Sequence, residues 1–353
     1  KGVDRIGVPQ SQRNKLFIMA GISADEMVRV KDKQIQEDLL RIAQEESDML
    51  HQLKVGILLS FSSQQEDEMF SNEHSTPAFS DFLDFLGDRI TLQGWEKFRG
   101  GLDVRSNSTG KESYFTTFTD DGNAEKHVQI MFHASTMLPF NGNDPQQLER
   151  KRHLGNDIVM VVFREMIDAD HPLEPFSPTS IHSQFNYVFI VVSPVKKDGT
   201  PITSDIYDAQ NLEEVYYQVA VSVRDDVQPF GPFLPMPAIF DRSQASRDFL
   251  LRKIINAERA AIHAPGFTQK LNRTRAAQLN AIYQQYCTSS DDSSSSSSSQ
   301  NVYSSPRRDS VIAKESGGGG SKIFKNVGKG LVRFASSPSS IHRKTKSSTT
   351  PDR

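Results

Sequence analysis

The first pattern along the chain is helical. Between residues 33 and 53, apolar side chains recur at near-helical spacing among Glu, Gln and Lys, which predicts an amphipathic helix. Residues 55–59 form a continuous apolar run of strand length, and the polar stretch after them favours a loop. Residues 77–86 predict a second helix, because Pro77 suits the first helical position and Gly87 suits the position after the last.

Short apolar segments dominate the middle of the chain. The strand-like segments lie at residues 113–118, 128–133, 158–163, 185–192 and 216–223. Two more helices are predicted at 247–261 and 273–286, and polar stretches at 120–126 and 195–214 are expected to be surface loops. Because short apolar strands alternate with helices, the pattern predicts an α/β domain.

The composition changes abruptly at Thr288. From there the sequence consists of polyserine, a run of four glycines and scattered Lys and Arg, with few residues able to offset the entropy of ordering the chain. We therefore predict three parts: an N-terminal extension with its amphipathic helix (1–53), a folded domain (54–287) and a disordered Ser/Gly-rich basic tail (288–353).

Composition narrows the function classes. The 353 residues include 36 % hydrophobic residues, enough for a substantial core. Residues 288–353 carry 11 Lys and Arg against 5 Asp and Glu, and the rest carries 30 against 39. An acidic body argues against nucleic acid as the partner, whereas the basic tail is a candidate for weak contact with an anionic membrane.

The single cysteine and the short apolar runs bear on the cellular compartment of the protein. Cys287 is the single cysteine, and no apolar run approaches the roughly 20 residues of a membrane span. These features predict a soluble protein in a reducing, cytoplasmic compartment, with peripheral membrane contact left open. The chain begins at Lys1 without a signal-peptide pattern, so we expect a piece of a longer protein.

The most informative segment is residues 144–157, DPQQLERKRHLGND, which leads into the apolar run at 158–163. Asp144 is predicted to cap a helix that starts at Pro145, with Gln147 in the capping-box position and Gly155 at the helix end. Basic residues in the last turns complement the helix dipole. The segment therefore predicts a basic helix end that presents a polar corner directly before a strand. As an alternative without any function, the same residues are ordinary signals for the end of a helix and a turn.

The segment RKRHLGNDIV resembles the signature of the Rap GTPase-activating family, which includes the Rap-specific and the signal-induced proliferation-associated proteins and, more distantly, tuberin. Further segments are similar in the family's order: EDEMFSNEHSTPAFSDFLDFLGDRI, FRGGLD, IMFHASTMLP, FSPTSIHSQFNYVFIVV, FGPFLPMPAIF and RDFLLRKIINAE. The resemblance covers about residues 50–287. It implies a Rap-GAP catalytic domain with a central mixed β-sheet flanked by helices.

The resemblance implies a mechanism in which the chain supplies an asparagine to its partner's active site. GTP hydrolysis depends on orienting water and on stabilising charge on the phosphoryl group, and a carboxamide can both accept and donate hydrogen bonds. Asn156 is then the asparagine thumb. His153 is predicted either to contact the GTPase or to pack behind the helix end.

Basic residues near the thumb are the predicted GTPase contacts, with a solvated helix face as the alternative for each. They are Lys151, Arg152, Arg150, Arg273 and Arg275. Lys151 is the preferred contact, Arg152 is not expected to be an arginine finger, and the two arginines of the last helix are weaker candidates.

The family often has a lysine in a Tyr-x-Lys-x-Gly-Gln context after the first strand. Here the stretch is Leu59-Ser-Phe-Ser-Ser-Gln64, so a basic contact near Phe61 is missing. This departure puts affinity or the choice of GTPase in doubt more than the chemistry.

The expected partner is a Rap-type small GTPase in its GTP-bound state, which carries GTP and Mg²⁺ itself. The chain shows no metal-ligand spacing, no hydrolase elbow and no phosphate loop, so we expect no metal, no cofactor and no catalytic activity of its own. A GTPase of Rheb or Ral type remains open as the substrate. So does a scaffold that binds without accelerating hydrolysis.

Two regulatory features remain predictions. Ser310 follows Arg307 and Arg308 in the form that basophilic kinases prefer. A homodimer of the full-length protein is a second expectation, because the family's dimer-forming region would lie mainly upstream of this sequence.

Overall fold

The computed structural model describes residues 33–119 and 127–287, apart from the side chain of Cys287. The predicted loop at 120–126, the tail at 288–353 and Ser310 lie outside the described residues. The strands are β1 (Gln52–Phe61), β2 (Asp88–Thr91), β3 (Glu112–Thr119), β4 (His127–Ala134), β5 (Val159–Glu165), β6 (Val188–Val195), β7 (Tyr216–Val223) and β8 (Ile239–Phe240). The helices are α1 (Gln34–His51), α2 (Glu66–Phe70), α3 (Pro77–Leu86), α4 (Leu148–Leu154), α5 (Gln244–Ile262) and α6 (Pro265–Cys287).

The strands form one eight-stranded sheet in the order β2-β3-β4-β1-β5-β6-β7-β8. Its four central strands, β4, β1, β5 and β6, run parallel, and the outer strands join them antiparallel. Every residue of β5 is buried, as expected for a strand that is covered on both faces. This mixed sheet with flanking helices confirms the predicted α/β fold class.

Two hydrophobic cores lie on the two faces of the sheet. Successive side chains of a strand point to opposite faces, so Ile57 of β1 belongs to the core under α3 and α5. Its neighbour Leu58 belongs to the second core, which includes Phe70 of α2 and Leu154 of α4. Helices α2 and α4 therefore pack on the same face of the sheet, and α4 leads into the amino end of β5.

Most predicted elements are present, with shifted ends. The helix predicted at 33–53 is Gln34–His51. The helix predicted at 77–86 and the strand predicted at 216–223 have the predicted bounds. The strand predicted at 185–192 begins only at Val188, because the amides of Phe185 and Asn186 donate to the Ser183 hydroxyl instead. The last helix begins earlier than predicted, at Pro265.

Three short elements were not predicted. Glu66–Phe70 is a helix inside the stretch predicted to be a loop, and β2 and β8 are edge strands of four and two residues. These segments are too short for their apolar residues to show a period. The stretch between β6 and β7 is a loop with one turn of 3-10 helix at Leu212–Glu214.

Among the described helices, none combines the length and apolarity that a membrane crossing requires.

Candidate functional site

Asn156 lies between the end of α4 and the start of β5, before the amino end of a central strand of the sheet. We call residues 154–157 the corner. The Asn156 side chain is half-buried, and its Nδ2 donates to the carbonyl of Arg152 at 2.6 Å. Within residues 33–119 and 127–287, no group donates a hydrogen bond to its side-chain oxygen. The carboxamide is therefore fixed through its nitrogen and keeps an acceptor oxygen free.

The predicted start of the helix before this corner is wrong. Helix α4 begins at Leu148, because Gln147 takes a left-handed conformation with φ of 47°. The Gln147 side chain is buried and binds the main chain of Asn141 through both its oxygen and its nitrogen. Asp144 still accepts from the first helical amide, that of Leu148, at 2.8 Å. Asp144 therefore still binds a helix amide, but it does so from four positions before the helix, and the residue directly before the helix is Gln147.

Gly155 lies directly after α4, as predicted. Its φ of −69° is right-handed, so the helix end does not require a left-handed residue. A Cβ atom at this position would lie 2.5 Å from the carbonyl oxygen of Lys151. Glycine is needed because the corner folds tightly back on the helix.

Arg150 is buried, with only 1 % of its surface exposed. Its guanidinium donates to the carbonyls of Phe70, Asn72 and Leu138 at 2.8, 2.7 and 3.3 Å. Burial lowers its pKa to about 10, which leaves it charged at neutral pH. The prediction that Arg150 contacts a GTPase is therefore corrected: the side chain joins α4 to α2 and to the loop after β4.

Lys151 and Arg152 lie on the more accessible side of α4. The Lys151 ammonium is 2.5 Å from a carboxylate oxygen of Asp67 and 3.4 Å from one of Glu66, both on α2. Arg152 pairs with Glu149 one turn earlier at 3.2 Å. Both predicted contact residues are thus near Asn156, and both already have an acidic partner.

His153 packs behind the corner. Its ring meets the ring of His133 edge to face, with centroids 5.4 Å apart. Burial, together with the neighbouring His133, lowers the pKa of His153 to about 3. The imidazole is therefore neutral at physiological pH and supplies no positive charge to a phosphate. Its predicted role stays undecided between contact and packing.

A buried ionic cluster lies beneath Asn156. Asp157 is fully buried, and its carboxylate contacts His133 Nδ1 at 2.8 Å and Lys54 Nζ at 3.3 Å. The other ring nitrogen of His133 faces the carbonyl of Gly100 at 3.1 Å. Burial by itself would raise the pKa of Asp157, but His133 and Lys54 outweigh it and hold that pKa below its ordinary value. The cluster therefore keeps a charged carboxylate directly beside the predicted thumb.

Each carbonyl of the corner accepts a hydrogen bond from a side chain of another element. Asn186 donates to the carbonyls of Leu154 and Asp157. Ser183 donates to that of Gly155 at 2.8 Å, and Lys54 donates to that of Asn156 at 2.8 Å. The backbone that carries Asn156 is thus fixed at four successive residues, which is the arrangement that a precisely positioned functional group requires.

Sequence reasoning did not single out Lys54, His133, Ser183 or Asn186. One signal was available: His133 and Asn186 are polar residues inside or beside otherwise apolar strand segments, and Lys54 directly precedes one. Buried polar residues in such positions are normally hydrogen-bonded. The pattern could indicate that they have partners, but not that the partners share one corner.

The two arginines of the last helix lie elsewhere. Arg275 forms an ion pair with Glu46 of α1, and Arg273 is exposed beside a surface groove of about 700 Å³ formed by α6 and the end of α5. Helix α6 packs against α1 and α5. The structure therefore does not bring these arginines together with the basic end of α4.

Phe61, where the expected lysine is missing, lies at the carboxyl end of β1 and pairs with Glu165 at the end of β5. Asn156 precedes the opposite end of β5. At about 3.3 Å per strand residue, β5 alone separates the two positions by about 20 Å along the sheet. The departure from the family pattern therefore leaves the corner unaltered.

No group of three or more His, Cys, Asp or Glu side chains in the described ranges is arranged to hold a metal ion. The functional groups at the corner are the carboxamide of Asn156 and the basic side chains of Lys151 and Arg152.

Comparison with known proteins gives consistent matches. The family described as Rap/ran-GAP matches residues 69–276. The mouse GTPase-activating Rap/Ran-GAP domain-like protein 3 is 38 % identical over 291 residues, covering 80 % of this chain and 25 % of that protein. The mouse signal-induced proliferation-associated 1-like protein 1 is 41 % identical over 256 residues, covering 72 % of this chain and 13 % of that protein.

A solved structure of the TSC2 GAP domain is 28 % identical, with a TM-score of 0.45, and the match covers 60 % of this chain and 97 % of that one. The chain spans about a quarter or less of the length of the two mouse relatives.

Proposed function

Since the chain belongs to the Rap/ran-GAP family, we propose that it accelerates GTP hydrolysis on a Rap-type small GTPase by placing the carboxamide of Asn156 in the partner's active site. The observation that carries this proposal is the corner itself. Asn156 is half-buried on a backbone held at four successive carbonyls, and no described residue donates to its side-chain oxygen.

A carboxamide suits this task because hydrolysis of GTP needs an oriented water more than it needs covalent chemistry. The free oxygen of Asn156 can accept a hydrogen bond from the attacking water, and its NH₂ group can donate to a phosphate oxygen after leaving the carbonyl of Arg152. A rigid backbone limits the search for the productive geometry to the side-chain torsions.

The basic side chains support binding in this proposal and not the reaction itself. Arg150 is engaged in the protein interior, and His153 is neutral, so neither supplies charge to the phosphates. Lys151 and Arg152 are the proposed contacts to acidic groups of the GTPase. Asp67, the nearer partner of Lys151, and Glu149, the partner of Arg152, are exposed carboxylates, and exposed ion pairs exchange at little cost. Glu66, the more distant partner of Lys151, is half-buried.

The partner is proposed to be in its GTP-bound state and to contribute the nucleotide and Mg²⁺. The chain is proposed to act in trans in the cytoplasm, with the basic tail as a weak contact to anionic membrane. The names of the relatives support a GTPase-activating role, whereas the choice of Rap, Rheb or Ral type rests on the resemblance alone.

Single-turnover hydrolysis by GTP-loaded Rap, with and without the 353-residue chain, tests this function. We expect acceleration that saturates with the concentration of the chain. Binding without acceleration would establish the scaffold alternative. Absence of both binding and acceleration with Rap, but not with Rheb or Ral, would reassign the substrate.

A further inference from the structure

The short segment of residues 183–186, which we call the bracket, holds the corner from outside α4 and β5. Two of its side chains reach the corner: Ser183 donates to the carbonyl of Gly155, and Asn186 donates to two carbonyls. The bracket precedes β6, the strand next to β5. It is therefore a separate piece of chain that determines where the corner lies.

Asn186 makes the central contacts. Its Nδ2 donates to the carbonyl of Leu154 at 2.9 Å and to that of Asp157 at 2.6 Å. These carbonyls belong to the last residue of α4 and to the residue after Asn156. One NH₂ group thus fixes the end of the helix relative to the start of the strand, and Asn156 lies between the two fixed points.

The bracket is itself held in place. Arg224 donates to the carbonyl of Asn186 at 2.9 Å and to that of Ser183 at 2.5 Å. Its guanidinium also lies over the ring of Tyr187, 4.6 Å from the centroid. Inside the bracket, the Ser183 hydroxyl accepts from the amides of Phe185 and Asn186 at 3.0 Å each. The support of the corner therefore continues to Arg224, the residue directly after β7.

Asn186 is not explained by packing alone. It is 1 % exposed, and its side-chain oxygen is buried without a hydrogen-bond partner among the described residues. An unpaired buried oxygen costs free energy that a leucine of similar size would not. What the amide provides in return is the pair of bonds to the corner.

On the basis of the proposed function, we infer that Asn186 is a positioning residue that holds the Asn156 carboxamide in its productive place. Functional groups must be held within about 0.5 Å, and a displacement of about 1 Å costs on the order of a hundredfold in rate. Asn186 does not itself touch the partner in this inference. It acts through the carbonyls of Leu154 and Asp157.

The test compares Asn186→Leu with a matched control, Asn256→Leu. Asn256 also donates to a main-chain carbonyl, that of Gly231, but it does so on α5 and away from the corner. For Asn186→Leu we expect the maximal single-turnover rate to fall about tenfold to a hundredfold, with the half-saturating concentration changed less than about threefold. Asn256→Leu should retain the wild-type maximal rate. Ser183→Ala, which removes one bond to the corner and the two bonds inside the bracket, is the second variant if Asn186→Leu does not fold.

A double-mutant cycle with Asn156→Ala separates positioning from general damage. If Asn186 acts through Asn156, Asn186→Leu should cause no further loss of rate in the Asn156→Ala chain. An unchanged maximal rate in both Asn186→Leu and Ser183→Ala, or a fully additive loss in the cycle, would overturn the inference.

A second readout does not depend on activity, so it separates this inference from the proposed function. The side-chain amide resonance of Asn156, identified by its disappearance in Asn156→Ala, should shift or broaden in Asn186→Leu and stay in place in Asn256→Leu. If wild type accelerates no GTPase, the proposed function fails and this resonance alone decides the positioning. A resonance that is unmoved in Asn186→Leu would contradict it.

Discussion

The ammonium of Lys54 donates a 2.8 Å hydrogen bond to the main-chain carbonyl of Asn156, which lies 102 positions later in the chain. The same ammonium is 3.3 Å from the buried carboxylate of Asp157. One side chain at the start of β1 thus satisfies both a carbonyl of the corner and the charge beneath it. Lys54 therefore connects the corner to β1, one of the central strands of the sheet.

Replacing Lys54 with Met should destabilise the fold by about 2 kcal/mol, because it leaves a carbonyl and a buried carboxylate short of a partner. The exposed Lys196→Met is the matched control and should change stability by no more than about 0.5 kcal/mol. Urea unfolding of the three chains measures both effects. Equal stabilities for the two variants would show that the Lys54 contacts carry little free energy.

Arg150 and Arg152, two residues apart on α4, should respond differently to the same substitution. Arg150→Met leaves three carbonyls of the interior without their donor and should cost about 3 kcal/mol of stability. Arg152→Met removes only an exposed pair with Glu149 and should cost about 0.5 kcal/mol or less. Thermal unfolding distinguishes them. A smaller loss for Arg150→Met would contradict the structural role assigned to that guanidinium.

Lys151 and Asp67 should have opposite effects on binding to the GTPase. If Lys151 contacts the partner, it must first leave Asp67, so Asp67→Asn should lower the half-saturating concentration about twofold to threefold. Lys151→Met should raise it about fivefold. Titration of the single-turnover rate measures both, with Glu213→Gln, which changes an exposed carboxylate on the 3-10 turn between β6 and β7, as the control. A shift in the same direction for Asp67→Asn and Lys151→Met would rule out a binding role for the freed ammonium.

Glu258 should make the stability of the fold depend on pH. Burial, together with the nearby Asp157, raises the pKa of this carboxyl from 4.5 to about 8. Between these values the native state binds more protons than the unfolded state, so stability falls as pH rises through this window, by at most about 1.4 kcal/mol per pH unit.

His153 acts in the opposite sense. Its pKa of about 3 lies below the ordinary 6.5, so its contribution is complete above pH 6.5 and is lost as pH falls toward 3. Stability measured from pH 6.5 to 8 therefore reports on Glu258 and not on His153. Glu258→Gln should remove the decline that urea unfolding detects in wild type across this window. A decline that persists in the variant would assign it to another group.

The sequence predicts the sheet well because strands buried on both faces are continuous apolar runs, as at 158–163. Short edge strands such as β8 carry no such signal, and the helix Glu66–Phe70 is too short to show a period. Arg150 shows the limit of reading charge from sequence. It stands between Glu149 and Lys151 in a basic run, yet only the packing of α2 beside α4 determines that its side chain turns inward.

The candidate site was predicted by resemblance at Asn156, and its support was not. Lys54, Ser183 and Asn186 come from two separate parts of the chain, and they meet only because β1 and β6 flank β5 in the sheet. Strand order depends on contacts between distant segments, which a single sequence does not display. The polar residues were visible, but their common target was not.

Asn156 is proposed to supply the carboxamide for hydrolysis, and one comparison tests this most directly. Asn156→Ala and Asn143→Ala are compared in single-turnover hydrolysis of Rap-bound GTP. Binding of each variant to the same GTPase is measured alongside. Asn143 is exposed in the loop before α4 and serves as the matched control. We expect Asn156→Ala to lose acceleration by at least about a hundredfold while still binding, because the oriented donor and acceptor are gone, and Asn143→Ala to behave as wild type. Acceleration by Asn156→Ala at the wild-type maximal rate would contradict the account.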